Sequence, residues 1–155
     1  MENNAGFWRR VSAYLVDIIP IVFLTGAIFY FCYGFDDILR SRFTRPNDLQ
    51  ARVEFIHMRN IIRNISLLIW ILYCALLEGT AYQATFGKLL VGLKVVDENG
   101  NRISWKRSFG RNLFKFINYI ALGLGFIWVA FTKNKQGWHD LVAKTYEVKK
   151  IEQQN

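Results

Sequence analysis

Cysteine, proline and histidine each occur only twice in these 155 residues, and acidic side chains are outnumbered by basic ones, 12 to 20. Cys32 and Cys74 show no C-x-x-C spacing, which excludes a disulfide or zinc framework; both read as small apolar fillers in or beside apolar runs. His139 stands beside Asp140 with no second histidine at ligand spacing and no activated serine or cysteine, so a helix cap or salt bridge is its simpler role. The shortage of acid leaves a net charge of +8. The basic residues flank apolar runs instead of forming one solvated stripe, which excludes nucleic acid in favour of membrane topology and anionic lipid. Gly87-Lys88 lacks the Walker pattern, since Tyr82 stands where its first glycine belongs and Leu89 where its serine or threonine belongs. No repeat or low-complexity tract occurs, no cofactor is called for, and catalysis is not expected.

What the chain has in abundance is apolar surface, 52% hydrophobic and 16% aromatic residues, which fits a small integral membrane protein. The run Val11 to Gly34 is long enough to cross a bilayer. Its aspartate, Asp17, costs roughly 2.5 to 3.5 kcal/mol on insertion scales, whereas its Leu, Ile, Val and Phe residues return roughly 4 to 7, so insertion wins. Arg9-Arg10 ahead of this run superficially resembles a secretory or twin-arginine signal, but Asp17 and Pro20 interrupt the apolar stretch and no A-x-A site follows. A second span covers Ile61 to Tyr82 if Arg63 and Glu78 lie at its two interfaces and snorkel. A third apolar run, Leu113 to Phe131, carries Lys115 and Asn118 and is broken by Gly123 and Gly125.

Residues 35–60 are nearly charge-balanced and read as a solvated loop in which Pro46-Asn47-Asp48 starts a helix that runs into the second span. Ala84 to Val91 reads as a short amphipathic helix on the membrane surface, with Lys88 snorkelling. Leu90 to Ser104, turning at Asn99-Gly100, reads as a small cytoplasmic β-hairpin, to which Thr145 to Lys149 could add a third strand. Lysine and arginine accumulate on the cytoplasmic side of short loops. A cytoplasmic N-terminus with an even number of crossings places Lys133, Lys135, Lys144, Lys149 and Lys150 inside, and the 113–131 run then re-enters the membrane instead of crossing it. The expected architecture is a single α-helical membrane domain over residues 1–155, with two transmembrane helices, this third segment and the hairpin, seated in the cell inner membrane.

Gly6-Phe7-Trp8-Arg9-Arg10, Ala13-Tyr14 and Asp17, then Gln83-Ala84-Thr85-Phe86-Gly87-Lys88, Gly92-Leu93-Lys94-Val95-Val96-Asp97 and Trp138-His139-Asp140, occur in that order. The set resembles the RDD family of small membrane proteins over nearly the whole chain. The resemblance implies solute or ion transport, with sodium/proton antiport for some members, and it assigns the family's arginine and two aspartates to Arg10, Asp17 and Asp140. Arg9 competes with Arg10 for the arginine position, and residues 35–60 look like an insertion.

Arg10 and Asp17 share a helix face about 10 Å apart along the axis, too far for a direct bond. A water, an ion, Glu78 or Asp140 could fill the gap, and Pro20 leaves the Val16 carbonyl without its donor beside Asp17. Two functions are therefore expected to compete. One is a proton-coupled exchanger of a small monovalent cation, with Asp17 as carrier, tuned by Arg10, with Asp140 at the cytoplasmic mouth; it requires a homo-oligomer because two spans enclose no pathway. The other is a membrane scaffold or accessory subunit whose intramembrane charges lock its helices together.

Overall fold

The computed structural model describes residues 4–120 and 124–150. The elements run α1 (Phe7–Cys32), α2 (Phe35–Thr44), α3 (Leu49–Glu78), α4 (Phe86–Leu90), β1 (Leu93–Asp97), α5 (Trp105–Ile120), α6 (Leu124–Ile127), a 3-10 turn (Trp128–Ala130), α7 (Trp138–Ala143) and β2 (Thr145–Lys149). Two of them, the 26-residue α1 and the 30-residue α3, are long and apolar enough to cross a membrane. The chain divides into two compact units, one of residues 18–70 and one of residues 1–17 with 71–155.

The 18–70 unit holds most of α1, α2 and nearly the first three-quarters of α3. Phe23 and Phe31 on α1 are 78% and 81% exposed, which suits lipid and not water. Gly34, at φ 69°, makes the left-handed step between α1 and α2 that other residues resist. Asp36 and Asp37 sit in the first turn of α2 and Arg42 in its last, matching the helix dipole. The Asp48 carboxylate accepts from the Gln50 and Ala51 N–H groups at 2.9 and 3.4 Å, so it starts α3 where the Pro-Asn-Asp signal predicts, and Phe35 stacks on Phe55.

The other unit joins the two helix ends, residues 7–17 of α1 and 71–78 of α3, to every element from α4 onward. Its sheet corrects the expected hairpin over 90–104. The turn itself forms: Asp97 accepts from the Asn99 and Asn101 N–H groups at 2.9 and 2.8 Å, and Gly100 takes φ 80°. The chain beyond it does not return as a strand. Ile103 is buried in the core, Arg102 donates to the Gly79 carbonyl, and the Ser104 hydroxyl accepts from the Arg107 N–H at the start of α5. The partner of β1 is instead β2, antiparallel, from Leu93 opposite Lys149 to Asp97 opposite Thr145. On the far side of β2 the Ala5 N–H donates to the Glu147 carbonyl at 2.7 Å and Asn4 bridges to Val148, so the N-terminal residues cover its free edge. Of the third apolar run, residues 121–123, Gly123 among them, lie outside the described residues; what is described is α5, the four-residue α6 and the 3-10 turn.

Candidate functional site: a carboxylate cap and a buried charge cluster

Among the described residues two polar sites lie inside this unit, and Arg10 and Asp17 fall in different ones. Asp17, in α1, is 6% exposed. Its carboxylate accepts from the Gly87 N–H at 2.7 Å, the Thr85 hydroxyl at 2.6 Å and the Tyr73 hydroxyl at 3.1 Å. The Tyr73 oxygen in turn accepts from the Phe86 N–H at 2.9 Å, and Thr85, the N-cap of α4, accepts from the Lys88 N–H at 3.4 Å. The first three N–H groups of α4, which have no partner within the helix, are thus all satisfied, and a negative charge sits at the helix's positive end. Gly87 is required by proximity: a Cβ there would strike the Ala13 carbonyl and lie 2.9 Å from the Asp17 carboxylate carbon. Gly87→Ala is expected to destabilise the protein by about 1 to 3 kcal/mol by forcing α4 off α1, read as a lower melting temperature in detergent.

The second site gathers charge from six elements. Arg111, on α5 and fully buried, donates to Asp140 Oδ1 through Nε and Nη2 at 2.9 and 2.7 Å, to Glu147 at 2.6 Å and to Glu78 at 2.5 Å. Lys88 bridges Glu78 and Glu147 at 2.7 and 2.6 Å. Lys115 and Asn112 reach Glu78 at 3.2 and 2.8 Å. Arg10 pairs with the second oxygen of Asp140, lies 3.4 Å from Glu147, and donates to the Lys135 carbonyl at 2.6 Å and the Ala5 carbonyl at 3.3 Å. Asp140 also accepts from the Gly137 N–H at 3.1 Å, so it caps α7 as well as pairing.

Burial opposes the charge on Glu147, but Arg10, Lys88 and Arg111 outweigh it and hold the carboxyl well below its usual range. The same contest, won by His139 once acid has protonated it and by Arg10 and Arg111, lowers Asp140. Burial disfavours the charge on Lys88, yet Glu147 and Glu78 raise it above the usual lysine value. His139 has the opposite outcome: burial dominates the pull of Asp140 and pushes the imidazole down to about 3, so the ring is neutral. His139, Asp140 and Glu147 offer ligand atoms within 4.8 Å of one another, but both carboxylates already face Arg10 and Arg111, whose charge repels a metal ion.

Arg10 and Asp140 are therefore brought together, and Asp17 is held apart from them by the α4 cap. Arg9 is exposed, which leaves the arginine position to Arg10. Pro20 falls in the 18–70 unit and builds neither site. Glu78, expected to snorkel at an interface, is instead fully buried and pairs with Lys88, Arg111 and Lys115. Lys88 corrects the surface-helix expectation: its side chain is 8% exposed and turned into the cluster, because three buried carboxylates demand cations more strongly than the membrane surface does. Sequence reasoning missed Arg111, Asn112, Glu147, Thr85, Gly87 and Tyr73 as site residues. The available signal was Ser108, Arg111, Asn112 and Lys115 at helical spacing, a polar stripe running into an apolar segment.

Residues 4–144 match the RDD family. The chain belongs to the RDD family. Among proteins of Bacillus subtilis (strain 168), it is similar to the uncharacterized protein YxaI, 35% identical over 97% of this chain and 100% of that one. It is also similar to the uncharacterized membrane protein YteJ, 29% identical over 91% of this chain and 78% of that one, and to the uncharacterized protein YckC, 30% identical over 92% and 82%. No solved structure matches it. Membership and the two long apolar helices make this a small RDD membrane protein.

Proposed function

We propose that this RDD protein is a non-catalytic membrane scaffold or accessory subunit, whose charged residues lock a compact unit onto the ends of its two spanning helices for another protein to bind. The observation that carries this reading is the state of Asp17: its oxygens accept three hydrogen bonds from the chain itself, including one from the Gly87 backbone. A carrier must release its partners to load a cation, whereas a cap is stabilising only while it keeps them. Arg10 and Asp140, the other residues expected in a pathway, neutralise each other.

The pairing of β1 with β2 supports a topology of two crossings, because the chain leaves β1 at Asp97 and comes back to the same sheet at Thr145, where the N-terminal Ala5 also bonds β2. The N-terminus, the sheet and the lysine-rich C-terminal stretch then share one side, which the charge rule makes cytoplasmic, with the protein multi-pass in the cell inner membrane. Among the described residues the 113–131 run forms no further helix long enough to cross.

The test is reconstitution of the full chain in vesicles carrying a pH-sensitive dye, with sodium, lithium and potassium supplied in turn. Cation-dependent proton flux no greater than in empty vesicles is expected. Asp17→Ala is expected to lower stability by about 2 to 3 kcal/mol by stranding the Gly87 and Thr85 donors. Flux that is abolished in Asp17→Asn, with an unchanged melting temperature, would instead establish the exchanger, operating as a homo-oligomer.

A further inference from the structure

The helix α5 is built inside out. Ser108, Arg111, Asn112 and Lys115 are at most 4% exposed, whereas Trp105, Phe109, Leu113 and Phe116 are 50%, 53%, 58% and 45% exposed. At 3.6 residues per turn the four apolar residues fall within an arc of about 80°, forming one continuous stripe. A helix on a water-facing surface shows the reverse arrangement, and a stripe of four large side chains is more apolar surface than solvent tolerates without a partner.

The depth of this stripe is set by what its polar face grips. The Ser108 hydroxyl donates to the Ala75 carbonyl at 2.8 Å, and Asn112 and Lys115 reach Glu78, so α5 is pinned to the last turn of a spanning helix. The bonded residues Ser108 to Lys115 cover about 10 Å of α5, yet their partners on α3, Ala75 to Glu78, cover about 4.5 Å; α5 therefore crosses the end of the span instead of running beside it. At that level the surroundings change from hydrocarbon to headgroups. The neighbouring α4, tied to Tyr73, adds Phe86 and Leu90, 60% and 62% exposed, and Lys106 and Lys144 are exposed nearby with the charge that anionic headgroups attract.

We propose that α5 lies in the plane of the cytoplasmic bilayer surface, with Trp105, Phe109, Leu113 and Phe116 in the lipid and the charge cluster sealed behind them. This rests on the two-crossing placement above and not on the scaffold role. It assigns the first part of the third apolar run to the membrane surface, with the buried arginine facing protein.

Nitroxide labels on single cysteines in the full chain, carrying Cys32→Ser and reconstituted in vesicles with anionic lipid, test it; Cys74 is buried and unreactive. Labels at Phe109→Cys and Leu113→Cys should collide with oxygen more than with a water-soluble nickel chelate, at a depth of about 5 to 10 Å. Phe23→Cys on the α1 span serves as the lipid reference and Glu98→Cys in the β1 turn as the water reference. If Phe23 reports lipid while Phe109 and Leu113 behave like Glu98, the stripe is in water and the inference fails. If both reagents are excluded, with spin–spin broadening between copies or without it, a protein surface covers the stripe and the inference also fails. If Phe23 itself reports water, the membrane placement beneath both readings is wrong.

Discussion

Replacing Arg111 with alanine is expected to lower the stability of the protein by about 3 to 5 kcal/mol, the range for breaking a buried ion pair from one side. The reason is the company this guanidinium keeps. It is fully buried and bonds Glu78, Asp140 and Glu147 together, so its removal leaves three enclosed carboxylates with only Arg10, Lys88 and Lys115 at their edges. Neither water nor an exposed lysine can take its place, since the planar fork reaches three acceptors from one point. The same truncation at Arg45, whose pair with Asp48 is exposed, should change stability by no more than about 1 kcal/mol. Detergent or denaturant unfolding of the full chain, with the two variants side by side, reads the contrast. Equal and small effects would mean that the cluster is hydrated and that the locking role assigned to it is absent.

How far the sequence could be read depended on the distance over which each feature is decided. The start of α3 is local, an Asp48 side chain capping the next two residues, and the Pro-Asn-Asp signal locates it. The turn at Asn99-Gly100 is equally local and forms as expected. Its strand partner is not local: Ile103 is drawn into the core and Ser104 caps α5, so β1 is left for a strand just over fifty residues away. The charge cluster follows the same rule. Arg10 and Asp140 stood out because each lies in a recognisable motif. Arg111 and Lys88 read as ordinary topology charges, because nothing short of the assembled fold shows that Glu78, Asp140 and Glu147 converge on them. Asp17 was legible as an anomaly, an aspartate in an apolar helix, but the donors that account for it lie on α3 and α4, 56 to 70 positions along the chain.

Acid should unfold the protein in two stages, beginning near neutrality. His139 takes up its proton at about 3 in the folded state and near 6.5 when free, so below 6.5 the unfolded chain binds a proton that the folded one refuses. Each pH unit between those values removes about 1.4 kcal/mol, on the order of 5 kcal/mol by pH 3. Asp140 and Glu147 act in a lower window. Their folded values lie below the ordinary carboxylate range, so the stability they contribute is complete above about pH 5 and is lost as the pH falls past 4 towards those values. All three groups push in one direction, and the melting temperature in detergent should be level above pH 7, decline from 6.5 and fall steeply below 4.5. His139→Gln separates the stages: a neutral side chain of similar reach has no proton to accept, so the upper decline should vanish while the lower one, still set by Glu147 against Arg10, Lys88 and Arg111, stays. A wild-type melting temperature that holds constant from pH 7 to 4.5 would show that the His139 ring meets solvent and that the face of the cluster around Asp140 is open.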